Sequence, residues 1–294
     1  MKNRIKRVIR NLHRNYTAGL TAELEKQIIR QKVVTRPLDE TYPYDAEAKL
    51  LRELDLGEKA MFDIGANTGF FSAVMEDIVT PEKLYLFEPI PNLYKYLLMR
   101  FKKANVLNLA ISNQSGKQVL RLPYINHEPY DSRATLSGHH VEENQTHFDE
   151  IEVNLTPLDD FIDQFDLDEI GLVKIDVEGH ELEVIEGAKQ TFERFKPLIF
   201  IEIEARHHNG ITDDVFCKLT ELGFRGYFMD PLKKELNSIS NFCAERDQSS
   251  ENLRLRKFHQ YHNNFFFVHA AGEEDFVQCA ARFLENEGIR FTPS

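Results

Sequence analysis

Met61-Phe-Asp-Ile-Gly-Ala-Asn-Thr-Gly-Phe-Phe-Ser72 decides the fold of this chain. Four residues of strand character run into a turn with two glycines, and a helical apolar run follows. Gly65 and Gly69 let the chain reverse tightly and let a ligand lie against bare backbone, while a helix starting near Gly69 offers free N–H groups. Working outward, apolar strand-like runs alternate with helical ones, the pattern of a mostly parallel sheet covered by helices. The strand candidates are 59–64, 83–88, 106–110, 171–176 and 198–204, with a late aromatic run at 264–269. Helices are expected over 70–79, 92–103, 181–194 and 213–222, the last stopped by Gly223. The polar stretches near 125–150 and 230–262 are read as insertions or lids.

The carboxylates beside the turn narrow the ligand. A dinucleotide loop spaces its glycines GxGxxG and sets a pyrophosphate on the helix. Here the spacing is Asp63-x-Gly65-x-x-x-Gly69, and a carboxylate at that point repels phosphate but suits a cation. Glu88 closes the next strand in Leu84-Tyr-Leu-Phe-Glu-Pro89, where an acid can accept hydrogen bonds from ribose hydroxyls. S-adenosyl-L-methionine (SAM) has a sulfonium and an ammonium and no phosphate, so Asp63 and Glu88 together point to it. The candidate cofactor residues are Asp63, Gly65, Ala66, Asn67, Thr68, Gly69, Glu88, Pro89 and Asp176.

These strings resemble the class I SAM-dependent methyltransferases, and later ones narrow the resemblance to the FkbM family. The matching pieces are Asp63 to Gly69, Phe87-Glu-Pro89, Thr156-Pro-Leu-Asp-Asp160, Val173-Lys-Ile-Asp-Val-Glu-Gly-His-Glu181 with Gly187-Ala188, and Ile201-Glu202. The resemblance implies an α/β, Rossmann-like fold: a mostly parallel seven-stranded sheet with helices on both faces. It further implies methylation of an oxygen on a sugar or secondary metabolite, with S-adenosyl-L-homocysteine as product. In such folds adenine packs near the end of the third strand, here Ala110 to Asn113, where the usual acid is missing.

Methyl transfer requires an in-line approach and removal of a proton from a hydroxyl of high pKa. Asp176, Glu178 and His180 cluster at the carboxyl end of the fourth strand, where open α/β sheets place their ligands. Asp176 and His180 are the candidate bases. Glu202 and Glu204 finish the fifth strand, one of them expected to reach the cleft, and Arg206, His207 and His208 follow, any of which could bind or deprotonate the acceptor. Asp176, Glu178 and Glu202 could supply oxygens to Mg²⁺, although no spacing demands a metal. Ser132 and Thr135 are candidates for the cofactor wall, and the string His259-Gln-Tyr-His-Asn-Asn264 for an acceptor pocket. Two other readings stay open, a nicotinamide-dependent oxidoreductase and a SAM-binding module without catalysis.

Composition excludes other classes. The 294 residues are 42% hydrophobic, enough for a large core, and the 36 Lys+Arg against 48 Asp+Glu leave a net charge of −12. A nucleic-acid partner is therefore not expected, since phosphates need a basic face. Cys217, Cys243 and Cys279 lie far apart with no CxxC pair, so neither a disulfide framework nor a zinc site is indicated. Residues 1–34 differ from the rest: nine basic side chains face two acidic ones, and Ile5, Val8, Ile9 and Leu12 fall on one helical stripe. The division is thus a basic amphipathic extension over 1–45 and a methyltransferase domain over 46–294. The extension is expected to contact an anionic membrane surface, its own acidic domain or a second copy in a homodimer. With no leader or spanning run, the chain is expected to be cytoplasmic, with peripheral contact at the inner membrane face.

Overall fold

Buried runs, broken by glycine and proline, assemble into one large sheet with helices on both sides. The computed structural model describes residues 24–29, 43–125, 128–129, 131–136, 145–165, 167–207, 212–230, 233, 235–255 and 260–286. Helix α1 (Pro43–Arg52) leads to strand β1 (Ala60–Ile64), which is buried on both faces, as a central parallel strand must be. After the glycine turn come α2 (Phe70–Met75), β2 (Leu84–Phe87), α3 (Pro91–Arg100) and β3 (Asn105–Leu107). Pro91 opens α3 at the first helical position, where its missing N–H costs nothing. A second sheet follows from β4 (Ala110–Ile111), β5 (Gly116–Ile125), β6 (Glu128–Pro129) and β7 (Gln145–Thr156). The chain then returns through α4 (Leu158–Ile162), β8 (Ile170–Ile175), α5 (Glu181–Gly187), α6 (Lys189–Phe195) and β9 (Leu198–Glu202). It closes with α7 (Asp213–Glu221), β10 (Phe224–Asp230), β11 (Glu235–Ser238), β12 (Asn264–His269) and α8 (Glu273–Asn286).

The main sheet has the order β11-β10-β12-β9-β8-β1-β2-β3. Strands β3, β2, β1, β8 and β9 run parallel, and β12, β10 and β11 each pair antiparallel to their neighbours. The expected Rossmann-like architecture is therefore present, with eight strands where seven were expected. The eighth is the edge strand β11, whose residues Glu-Leu-Asn-Ser bury only Leu236 and so leave no alternation to read. Strict alternation divides the core instead. Met61, Leu84, Leu86, Leu172 and Phe200 face α1, α2 and α8, while Phe62, Ile64, Phe87, Val173 and Ile201 face α5, α6 and α7.

Two features depart from the expected elements. The helix expected over 181–194 is two helices meeting at Ala188, beside Gly187, where a Cβ would lie 1.9 Å from the Ser112 carbonyl oxygen. The polar stretch near 125–150 is, in its described part, the end of a β5–β7 ribbon paired from Gly116↔Leu155 to Ile125↔Gln145. Much of β7 is exposed, so its charged residues conceal the strand. Thr156 and Ala110 tie this ribbon to the main domain, with a small core of Ile90, Leu93, Leu120, Val153 and Leu155 beneath it. Of the basic extension, residues 24–29 form a helical segment; the stripe Ile5 to Leu12 lies outside the described residues. Among the described residues no helix is long and apolar enough to cross a membrane, and the three cysteines are unpaired.

Candidate active site

The carboxyl ends of β1, β2, β8 and β9 open into a cavity of about 430 Å³, which is also lined by Leu120 of β5 and by Asp131, Arg133, Ala134 and Leu136 of the segment before β7. Its floor is the glycine turn. Gly65 has φ +81°, and a Cβ there would lie 1.9 Å from the Asp176 carbonyl oxygen, so only glycine lets β1 and β8 close against each other. Asn67, also left-handed at φ +50°, accepts the Thr68 N–H on its own side-chain oxygen (2.8 Å). Gly65, Ala66, Asn67 and Thr68 line the cavity; Gly69 does not. Gly69 is a packing position, its missing Cβ making room for Phe101 and Leu97.

Glu88 sits at the tip of β2 and lines the cavity beside Pro89. Its carboxylate accepts the Asn67 N–H (2.7 Å) and the Ile90 N–H (2.8 Å), locking the glycine turn to the start of α3. Burial pushes its pKa up to about 7 despite those two bonds. Each oxygen keeps a free lone-pair direction for a ligand hydroxyl.

Asp63 is placed differently from the expectation. It is fully buried and does not line the cavity. It lies on the α2 face of β1, in register with Lys174 on β8, and accepts from the Ser72 hydroxyl (2.6 Å). The Lys174 ammonium lies 3.5 Å from Asp63 and 3.0 Å from Asp176, and 5.9 Å from the centre of the Phe71 ring. Asp63 thus acts on the site through Lys174, a cavity residue that the sequence reading left without a role.

Asp176, Glu178, Glu202 and Glu204 all line the cavity. One of Glu202 and Glu204 was expected there; both arrive, because residues two apart along an extended chain share a face. Burial, reinforced by the Asp176 charge, raises Glu178 and Glu202 well above the usual carboxylate range. Asn263 donates to Glu202 (2.6 Å) and Glu204 (3.1 Å), Tyr261 donates to Glu204 (3.3 Å), and Arg206 also donates to Glu204. Tyr261 and Asn263 of the string before β12 therefore back the carboxylates without lining this cavity; His259 lies outside the described residues.

The histidines divide. His180 lines the cavity, with Nε2 3.0 Å from the Ser112 hydroxyl and Nδ1 3.5 Å from Glu183, and burial lowers its pKa. His207 does not line it, standing behind Glu178 with Nε2 3.2 Å from the carboxylate. His208 lies outside the described residues. Thr135 donates to the Glu178 carbonyl (2.6 Å), pinning the ribbon to the loop after β8; the side chain of Ser132 is not described. Among the described residues no group of three His, Cys, Asp or Glu is arranged to hold a metal. Asp176, Glu178 and Glu202 are taken up by Lys174, Arg206 with His207, and Asn263 respectively.

The profile of the methyltransferase FkbM domain matches residues 63–225, which run from Asp63 through the ribbon and β9 into β10. The chain belongs to the FkbM methyltransferase family. The match covers every cavity-lining residue named above. Among curated relatives, the methyltransferase sdnD of Sordaria araneosa is 26% identical over 188 residues, 55% of this chain and 72% of that protein. Among solved structures, an FkbM methyltransferase from Methylobacillus flagellatus KT aligns with 15% identity and a TM-score of 0.42. That alignment covers 72% of this chain and 44% of the other. Aeropyrum pernix fibrillarin with natively bound S-adenosyl-L-methionine aligns with 13% identity and a TM-score of 0.38, covering 76% and 73%.

Proposed function

We propose that the protein transfers the methyl group of SAM to a hydroxyl of a small-molecule or glycan acceptor. The observation that carries this reading is the cavity's carboxyl-rich lining. Glu88, Asp131, Asp176, Glu178, Glu202 and Glu204 outnumber Arg133, Lys174 and Arg206 on its wall, around a glycine turn that leaves backbone bare. That donor set fits a cationic nucleoside better than a pyrophosphate, which favours SAM over the nicotinamide alternative. SAM, when bound, supplies a sulfonium methyl open to attack by a nucleophile.

The chain's own residues would divide the remaining work. Glu88 accepts ribose hydroxyls while its bonds to Asn67 and Ile90 hold it in place. The backbone from Gly65 to Thr68 gives the close approach. Leu109, Ala110 and Ile111 offer an apolar wall to an adenine, with His180 at its border. His180 is engaged at both ring nitrogens, so it serves better as that wall than as a base. Proton removal then falls to Asp176 or Glu202, both on the cavity wall within reach of an acceptor hydroxyl.

Isothermal titration with SAM, S-adenosyl-L-homocysteine and NAD tests the cofactor. Heat with the first two and none with NAD is expected, and the reverse refutes the proposal. Methyl transfer is tested by incubating protein, SAM and candidate polyols and measuring S-adenosyl-L-homocysteine; SAM binding without turnover on any hydroxyl acceptor favours the non-catalytic module.

A further inference from the structure

We infer that the outer face of α3, together with the helical segment 24–29 docked on it, is a binding surface for an anionic lipid bilayer. This inference does not depend on the methyl-transfer reading. Along α3 and the turn after it, Lys95, Leu98, Met99, Lys102 and Lys103 recur at helical spacing and all are exposed. Leu98 is 44% and Met99 47% accessible, two large apolar side chains framed by three cations. The segment 24–29 adds Leu24 and Ile28, 50% and 48% accessible, one turn apart. It is held to α3 by the Tyr96 hydroxyl donating to Glu25 (3.0 Å) and by the Lys26 ammonium 5.2 Å from the centre of the Phe101 ring.

Charge selects the occupant. The chain carries a net −12, yet no Asp or Glu occurs between Pro89 and His127. Elsewhere in that interval cations meet partners: Lys117 pairs with Glu152 at 2.6 Å and Arg121 lies 3.8 Å from Glu150. Lys95, Lys102 and Lys103 make no ion pair among the described residues. The nearby acids are committed, Glu25 to Tyr96, Glu76 to Lys26 (2.6 Å) and Asp77 to Arg52 (2.9 Å). Exposed leucine and methionine between unpaired lysines match the acyl boundary and the anionic headgroups of one bilayer leaflet. The surface also sits close to the cavity. Arg100 of the same helix donates to the Thr68 carbonyl (2.7 Å) in the glycine turn, so a docked protein would hold its cleft near the lipid.

The test uses the full chain and co-sedimentation with vesicles of phosphatidylcholine alone or with phosphatidylserine. The native protein is expected to bind only the anionic vesicles, with partitioning that falls as salt rises. The triple variant Lys95→Gln, Lys102→Gln, Lys103→Gln should lower the partition coefficient about 100-fold, at about five-fold per lysine. Leu98→Ser with Met99→Ser should weaken binding without abolishing the salt dependence. All five positions are exposed, so near-ultraviolet circular dichroism and SAM titration should match the native protein; loss of SAM binding in the native chain would count against the methyl-transfer reading alone. No binding to anionic vesicles, or equal binding by the triple variant, overturns the inference. A dimer in sedimentation velocity that Leu98→Ser with Met99→Ser disperses overturns it in favour of a second copy.

Discussion

Lys174→Met is the perturbation that most directly tests the electrostatic frame of the site. The ammonium is 3.5 Å from Asp63 and 3.0 Å from Asp176, and its side chain is only 6% accessible. At an effective dielectric near 20, a pair 3.5 Å apart interacts with about 5 kcal/mol. Desolvation of both ions offsets much of this, but removing one partner strands the other, at a cost of about 3–5 kcal/mol. Asp63 would keep the Ser72 hydroxyl, which retains about 1 kcal/mol. The expected loss in urea denaturation is therefore about 3 kcal/mol, or on the order of 6–12 °C in thermal midpoint. The double variant Asp63→Asn, Lys174→Met leaves a neutral amide in place of the stranded ion and should recover more than half of the loss. A single variant costing under about 1 kcal/mol, or a double variant as unstable as the sum of its parts, would refute the assignment of Lys174 as the counter-ion of Asp63.

Gly65→Ala should cost about 3 kcal/mol or more and abolish SAM binding, because the new methyl meets the Asp176 carbonyl at 1.9 Å; Gly116→Ala, with nothing within 4 Å, is the control and should cost about 1 kcal/mol. Glu88→Gln should flatten the pH dependence of stability. A carboxyl whose folded pKa is raised to about 7 from 4.5 makes the fold lose stability as pH climbs through that window, by ~3 kcal/mol at most, and urea midpoints at pH 5 and pH 8 would read it. Glu202→Gln should lower kcat about 10²–10⁴-fold while leaving SAM affinity within a few-fold, measured by product formation and titration; an unchanged kcat would remove Glu202 as the base. His180→Gln should lower kcat by no more than about ten-fold if the ring serves as a wall.

Sequence alone was a good guide wherever strand and turn chemistry is local. The run 264–269 is β12 to the residue, and the first two parallel strands fall within a residue of their expected limits. The glycine turn and Glu88 stand where their spacing put them, because a buried strand, a left-handed turn and a strand-tip acid each leave a mark within a few residues. The β5–β7 ribbon escaped notice for the opposite reason. Its residues Thr146 to Glu150 face water, so apolar alternation is confined to Ile151, Val153 and Leu155 at its end, and what orders the rest is pairing with residues about 30 positions away. The segment 131–136, bridged to the ribbon at Arg121 and Thr135, lines the cavity through Arg133, Ala134 and Leu136, beside the wall position that its sequence suggested for Thr135.

The residue types of the site were therefore written in short strings: a carboxylate at each strand tip, glycines where backbone must pass close, a family string from Val173 to Glu181. The tertiary structure decided which of those groups lines the cavity. Asp63 and Lys174 are 111 positions apart in sequence, and only the parallel register of β1 and β8 sets them side by side as a buried ion pair. Tyr261 and Asn263 were likewise brought to Glu204 and Glu202 by the meeting of β9 with β12, and His207 to Glu178 by that of β9 with β8. Local chemistry determines what a strand tip carries; register between strands distant in sequence determines what it meets.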